Sequence, residues 1–286
     1  MSATYRPTYE GVRLTRTMAL FLLLLLLLHV SLHRAAAASD ASFRHIYYCL
    51  RHGESQANVE GVISSDPTVA CIEHGLSERG WDQAEKSVQT IVNEAHAKDV
   101  QGVVIVSSDL RRAWQTASVV RAGLLAKGLR TWPPDRIFEE RALRERSFGE
   151  LSGQSDDRYK DVWVEDAMSA DHECFGCESV RSVQERGRGV VERVEALTDG
   201  ELGSPGRWMV LLVAHGDVLQ ILQTAFAEVD PRTHRSLEHL PTATLRRLPL
   251  PQSWLPLDEA VVSSKWKDAA SWPPAEVRGW TTTYWM

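Results

Sequence analysis

Residues 47–58 read YYCLRHGESQAN. The segment that opens it, residues 44–50, is short, aromatic and β-branched, the composition of a strand. It runs directly into Arg51, His52 and Gly53. Adjacent basic side chains at the end of a buried strand need a reason, because buried charge is costly unless paired or used. The pattern recurs twice. Residues 102–108, GVVIVSS, end in Ser107-Ser108-Asp109-Leu110-Arg111-Arg112, and residues 207–216, RWMVLLVAHG, pass through Ala214-His215-Gly216-Asp217. Both are continuous apolar runs of strand length, the mark of strands covered on two faces.

Between these strands the spacing predicts helices. Ser77 can cap one that follows, with Ala84, Val88, Ile91, Val92 and Ala95 on its apolar face. RRAWQTASVVRAGLLAKG, from Arg111, is a second, with Gly128 as its stop. A third starts near Ser179, with Val180, Val183, Val190, Val191 and Val194 on one face. A fourth follows Asp217 and is stopped by Pro231. RIFEE (136–140) and TATLRRLPL (242–250) are short or edge strand candidates. Alternating strands and helices predict an α/β fold, a three-layer sandwich with a mostly parallel central sheet.

The expected domain is 42–250. Before it, Arg13 and Arg16 precede a continuous apolar run from Met18 to Leu28, and small residues follow at Ala35–Ala38. Residues 1–38 read as a signal peptide or signal anchor, since an apolar stretch of about 15 residues is short for a span of ~20. The expected location is the secretory pathway, secreted or membrane-anchored through this segment, with an organelle such as the mitochondrion as the alternative. No Asn-x-Ser/Thr sequon is present. After it, 251–286 holds five of the ten Trp with little periodicity and reads as a C-terminal extension. The net charge is −6, and omitting residues 1–38 leaves 28 basic against 37 acidic side chains. That balance argues against a nucleic-acid partner.

In an open α/β sheet, ligands bind beyond the carboxyl ends of the strands. Three strand ends deliver two His and at least two Arg to that edge, a cationic pocket suited to an anion. The segments LRHGESQAN, SSDLRRAWQTA, LRERSFGELSG, ESVRSVQERGRGVVERV and VAHGDVLQI together resemble the histidine phosphatase superfamily, in its phosphoglycerate mutase-like branch with the RHG motif. The resemblance covers roughly 45–250. It implies a phosphoglycerate mutase-like fold, with His52 as phosphoryl-accepting nucleophile, Glu145 as general acid and His215 as the second pocket histidine. Arg51 and Arg112, rather than Arg111, would bind phosphate, and Asn58 falls where the family often carries an Asn that touches it. Gly53 is read as letting the chain turn close to the ligand.

The residue types suit the chemistry. A neutral imidazole splits a slow hydrolysis into two steps through phosphohistidine. Guanidinium groups bind phosphate oxygens bidentately and disfavour protonation of a neighbouring imidazole. With the cations built in, neither metal nor cofactor is expected. Relatives that are phosphoglycerate mutases usually carry Trp where this chain has Ala57, and a Gly-Trp segment soon after, where this chain reads VEGVISSDPTVACIEHG. These departures favour a phosphatase acting on a phosphorylated small molecule or phosphoprotein. The alternatives are a mutase-type phosphoryl transferase, or an inactive phospho-ligand-binding module, against which the intact set of His52, Glu145 and His215 argues. Specificity is expected from 59–74 and 159–175, both read as loops. Asp156, Asp157, Glu165, Asp166 and Asp171 either line the rim and repel highly anionic substrates or are simply solvated. Of the four cysteines, Cys49 reads as a buried thiol. Cys71, Cys174 and Cys177 could form a disulfide across segments, join His74 in a zinc set with His172 in reserve, or stay free.

Overall fold

The computed structural model describes residues 43–249 and Pro251. The expected leader and nearly all of the Trp-rich extension lie outside the described residues. Six strands form one sheet: β1 (Ile46–Arg51), β2 (Val103–Ser107), β3 (Thr131–Trp132), β4 (Phe138–Glu139), β5 (Met209–Ala214) and β6 (Leu245–Arg247). Their order is β3-β2-β5-β1-β6, with β4 also paired to β2. Every pairing is parallel except β6, which lies antiparallel on β1 at the edge.

The helices are α1 (Gln56–Glu60), α2 (Pro67–Ala70), α3 (Glu78–Ala97), α4 (Arg111–Ala126), α5 (Tyr159–Met168), α6 (Val180–Glu195), α7 (Asp199–Leu202) and α8 (Gly216–Phe226). Successive strand residues point to opposite faces, and this divides the core in two. Tyr47, Cys49, Val104, Val106, Val210 and Leu212 pack with the apolar faces of α6 and α8. Ile46, Tyr48, Leu50, Val103, Ile105, Leu211 and Val213 pack with those of α3 and α4. The three-layer sandwich with a mostly parallel sheet is therefore the fold.

Local signals hold at most boundaries. Ser77 caps α3, its hydroxyl accepting from the Gly80 amide. Gly128, at φ +78°, follows the end of α4. The fourth helix, however, ends at Phe226, well before Pro231, with Glu228 in the left-handed region. Two segments read as loops carry helices instead: 59–74 contains α2, and 159–175 contains α5. Among the described residues, no helix is long and apolar enough to cross a membrane.

Gly53 has a different task from the one its place beside His52 suggests. A Cβ on Gly53 would meet the Gly80 carbonyl oxygen at 2.4 Å, and a Cβ on Gly80 would meet the Glu54 carbonyl oxygen at 2.0 Å. The two glycines let the first turn of α3 lie against the backbone of residues 53–54, so the constraint is backbone packing rather than room for a ligand.

Of the three readings left open for the cysteines, the fold matches the last. All four are free thiols, Cys174 exposed and the others buried. Cys71 packs with Ala70 and Leu110, while Cys177 packs in a separate cluster with Ile63, Phe148, Leu151 and Val162. His74 bonds to Ser64 and His172 to Asp166, so neither the disulfide nor the zinc set is assembled.

Two outcomes follow. Gly80→Ala should lower the chemical-denaturation midpoint by an amount equivalent to about 2 kcal/mol, the scale of overpacking a rigid contact; an unchanged midpoint contradicts the close approach. Unfolding without reductant should expose four titratable thiols per chain, and a count of two would restore the disulfide.

Candidate active site

Strand register builds the centre of the site. In the β1–β5 pair, Arg51 lies opposite Ala214, and in β2–β5, Ser107 lies opposite Val213. The next residues, His52 and His215, are thus brought to one level beyond the strand ends, with Ser108 one residue short of it. The ladder continues one step further, with the His52 amide donating to Ala214 and the Ser108 amide to Val213. The two imidazoles meet with ring centroids 5.1 Å apart.

His52 is buried and its tautomer is constrained. Nδ1 lies 2.7 Å from the Gly53 carbonyl, which can only accept, so Nδ1 carries the proton. Nε2 then has a free lone pair, and it accepts from Arg112 Nε at 3.1 Å. Burial, then the charges of Arg112 and Arg51, hold the imidazole well below its ordinary range, so it is neutral. His215 is wholly buried behind His52 rather than on the open wall of the cleft. Its Nε2 pairs with Ser108 Oγ at 2.8 Å, and its Nδ1 has no hydrogen-bond partner among the described residues. Burial, with Arg112 and His52 next, depresses it too.

Arg112 enters from the first turn of α4 and is buried. Besides His52 it donates to Ser64, to Oγ at 3.2 Å and to the carbonyl at 2.9 Å. Arg111 points away, to the Ile72 carbonyl. Arg51 donates to the Leu240 carbonyl at 3.1 Å and lies 3.0 Å from His239 Nε2. Its buried Nε has no partner among the described residues. Asn58 lines the cleft, but its carbonyl oxygen serves a capping box on α1, accepting from Ser55 N and Oγ. Only its amide NH2 is left to offer an anion.

Glu145 lies between two clamped arginines. Arg144 grips Asp109 at 2.7 and 2.6 Å, and Arg146 grips Asp166 at 2.7 and 2.8 Å while reaching Asp217 at 3.3 Å. Oε1 of Glu145 accepts from the amides of Arg146 (3.0 Å) and Val218 (3.2 Å). Its Oε2 makes no hydrogen bond among the described residues. Desolvation and then the Asp217 charge raise this carboxyl above its ordinary range, against the pull of Arg112.

These groups share a cleft of about 210 Å³. Arg51, His52, Asn58, Arg112 and Glu145 line it, so the predicted set converges, with His215 one layer behind. Ser64, Tyr159 and Trp163, from the two segments expected to set specificity, also line the cleft, as do Asp217 from the HGD strand end and two residues that the sequence reading missed, Arg235 and His239. Tyr159 and Trp163 stack with centroids 5.4 Å apart, and Arg235 lies 3.6 Å over the Trp163 ring. Their i, i+4 spacing was a helical signal within the segment read as a loop. Arg235 and His239 come from the turns after α8, where no periodicity marks them. Of the acids expected near the rim, Asp156 lines the cleft, Asp166 is buried against Arg146, and Asp171 pairs with Arg181. Asp166, Asp217 and His234 lie close enough to hold a metal ion, but the Arg146 guanidinium already bonds both carboxylates, while His234 Nε2 has no hydrogen-bond partner among the described residues.

Comparison with known proteins agrees with this geometry. The chain is 30% identical over 182 residues to a 2,3-bisphosphoglycerate-dependent phosphoglycerate mutase of Parvibaculum lavamentivorans, covering 60% of this chain and 75% of that protein. It is 31% identical over 189 residues to a glucosyl-3-phosphoglycerate phosphatase of Mycobacterium tuberculosis, covering 63% and 74%. Among solved structures, the mycobacterial glucosyl-3-phosphoglycerate phosphatase in complex with inorganic phosphate superposes with a TM-score of 0.54 at 25% identity, over 71% of this chain and 88% of that one. The family model of the histidine phosphatase superfamily (branch 1) matches residues 47–253. That span takes in every residue that lines the cleft, and the chain belongs to this superfamily.

Proposed function

We propose that this protein is a metal-independent phosphomonoester hydrolase that works through a phosphohistidine on His52. The observation that carries the reading is the tautomer: the Gly53 carbonyl holds the Nδ1 proton and leaves the Nε2 lone pair beside Arg112. A substrate phosphate entering between Arg51 and Arg112 supplies better acceptors than Nε2. Arg112 transfers its N–H to a phosphate oxygen, and the lone pair is released for attack. Nε2 bonds to phosphorus as the bond to the leaving oxygen breaks. Glu145 gives that oxygen its proton from Oε2. Charge on the transferring group is held by Arg51 and Arg112, with the His215 ring packed beside His52. In the second step a water attacks phosphorus, the Glu145 carboxylate takes the water's proton, and the P–N bond breaks to release phosphate.

Hydrolysis is preferred to mutase transfer on the chain's own departures, Ala57 and the segment 59–74. The matched relatives include both activities at nearly equal identity, so their names do not divide the two. The cleft volume suits a phosphoryl group with a small leaving group, and the Asp156 and Asp217 carboxylates disfavour a highly anionic one. From the leader alone we place the activity in the secretory pathway, secreted or membrane-anchored.

The full-length chain in the presence of a chelator should release phosphate from p-nitrophenyl phosphate. His52→Ala should reduce that release by about 10³-fold or more, the scale of removing a nucleophile. Interconversion of 3- and 2-phosphoglycerate without phosphate release overturns the hydrolase reading, and normal turnover by His52→Ala overturns the nucleophile. The acid limb of kcat/KM should lie well below pH 6.5 once substrate ionisation is allowed for, because His52 stays neutral there. A limb centred at an ordinary histidine value contradicts the buried, cation-flanked imidazole.

A further inference from the structure

A phosphate pocket gains nothing from an ionised carboxylate, since it repels the substrate, yet Asp217 lines this one. Its neighbours are cations and a hydrogen-bond donor. Arg146 Nη1 lies 3.3 Å from Oδ2, Trp163 Nε1 donates to Oδ1 at 3.2 Å, and Arg235 Nη1 lies 3.6 Å from Oδ1. His234 Nε2 is 3.7 Å from Oδ1. Arg146 is wholly buried and its other partner is Asp166, so it cannot leave without stranding two buried acids. The negative charge of Asp217 is therefore fixed in place. One residue further along α8, the Val218 amide holds Oε1 of Glu145.

We propose that Asp217, clamped by Arg146 and Trp163, is a positioning residue whose fixed charge keeps Glu145 in its acid form until the leaving group needs the proton. The proposal rests on the reading of Glu145 as the acid. The need is visible in the groups that face Glu145. Arg51 from the end of β1 and Arg112 from α4 both favour the carboxylate, as does the N-terminus of α8 through the Val218 amide. His52 is neutral, and Tyr159 from α5 is held protonated by burial. Arg51, Arg112 and a helix end act on the acid, Arg146 and Arg235 are engaged with Asp217, and Asp217 is the opposing charge. Two carboxylates with unlike partners share this end of the cleft: Arg146 grips one, and among the described residues no cation grips the other.

The test is the alkaline limb of kcat/KM in the full chain with p-nitrophenyl phosphate. Asp217→Asn should move it to lower pH by about one unit, tenfold in the acid form of Glu145. Asp217→Glu, which keeps the charge, should restore it. Arg235→Gln, which removes a cation next to Asp217, should move the limb the opposite way. A merely structural role would lower activity equally at every pH. If Glu145→Gln abolishes the limb but Asp217→Asn leaves it in place, the inference fails and the acid assignment stands. If Glu145→Gln leaves the limb intact, the acid assignment fails and the inference with it. Should Asp217→Asn not fold, Arg235→Gln decides: an unmoved or lowered limb overturns the proposal.

Discussion

Parallel pairing of β1 and β5 in one register is the constraint on which the site depends. It sets Arg51 against Ala214, and so the two imidazoles that follow must meet. Neither histidine could sit there charged. Two cations in contact, buried beside Arg112, would carry a desolvation cost that no described partner offsets. The sheet therefore delivers two neutral rings, and the Gly53 carbonyl and Ser108 hydroxyl orient them. The glycine pair at 53 and 80 serves the same end, because it lets α3 hold the backbone of the residue that follows the nucleophile.

Glu145 has no strand behind it, and ion pairs take over the task of the ladder. Its neighbours Arg144 and Arg146 are each gripped bidentately, by Asp109 at the end of β2 and by Asp166 on α5. Such pairs contribute little net stability when buried, but removing one partner is severe. Their contribution here is position: the carboxyl between them is fixed on both sides.

Much of this was legible in the sequence, and the reasons differ by element. The strands at 46–51, 103–107 and 209–214 announce themselves because burial on both faces demands continuous apolar runs. Their polar ends then mark Arg51, His52, Arg112 and His215, since strand order turns sequence into proximity. Glu145 needed the family spacing, because a carboxylate among charged neighbours is unremarkable by itself. Tyr159, Trp163, Arg235 and His239 stayed hidden: their convergence depends on how α5 packs against the turns after α8, and no local propensity encodes that. Asp217 was visible in HGD, but its partner Arg146 was not. Asn58 was visible, but its capping box with Ser55, which takes up its carbonyl oxygen, was not. The cysteine spacing left three readings open because Cys-x-x-Cys can arise from packing alone, here with Cys177 in a small core and Cys174 at the surface.

Exclusion of water prepares both reacting groups at once. Desolvation favours whichever form is neutral. For an imidazole that is the deprotonated nucleophile, and for a carboxyl it is the protonated acid. A single dry cleft thus selects the reactive form of His52 and of Glu145 together. The arginines required by the phosphate break this symmetry: they reinforce the neutral imidazole and oppose the neutral carboxyl. A pocket that binds phosphate with permanent cations must therefore supply a compensating anion on the acid's side alone. The carboxylate that Arg146 and Trp163 hold beside Val218 occupies that side.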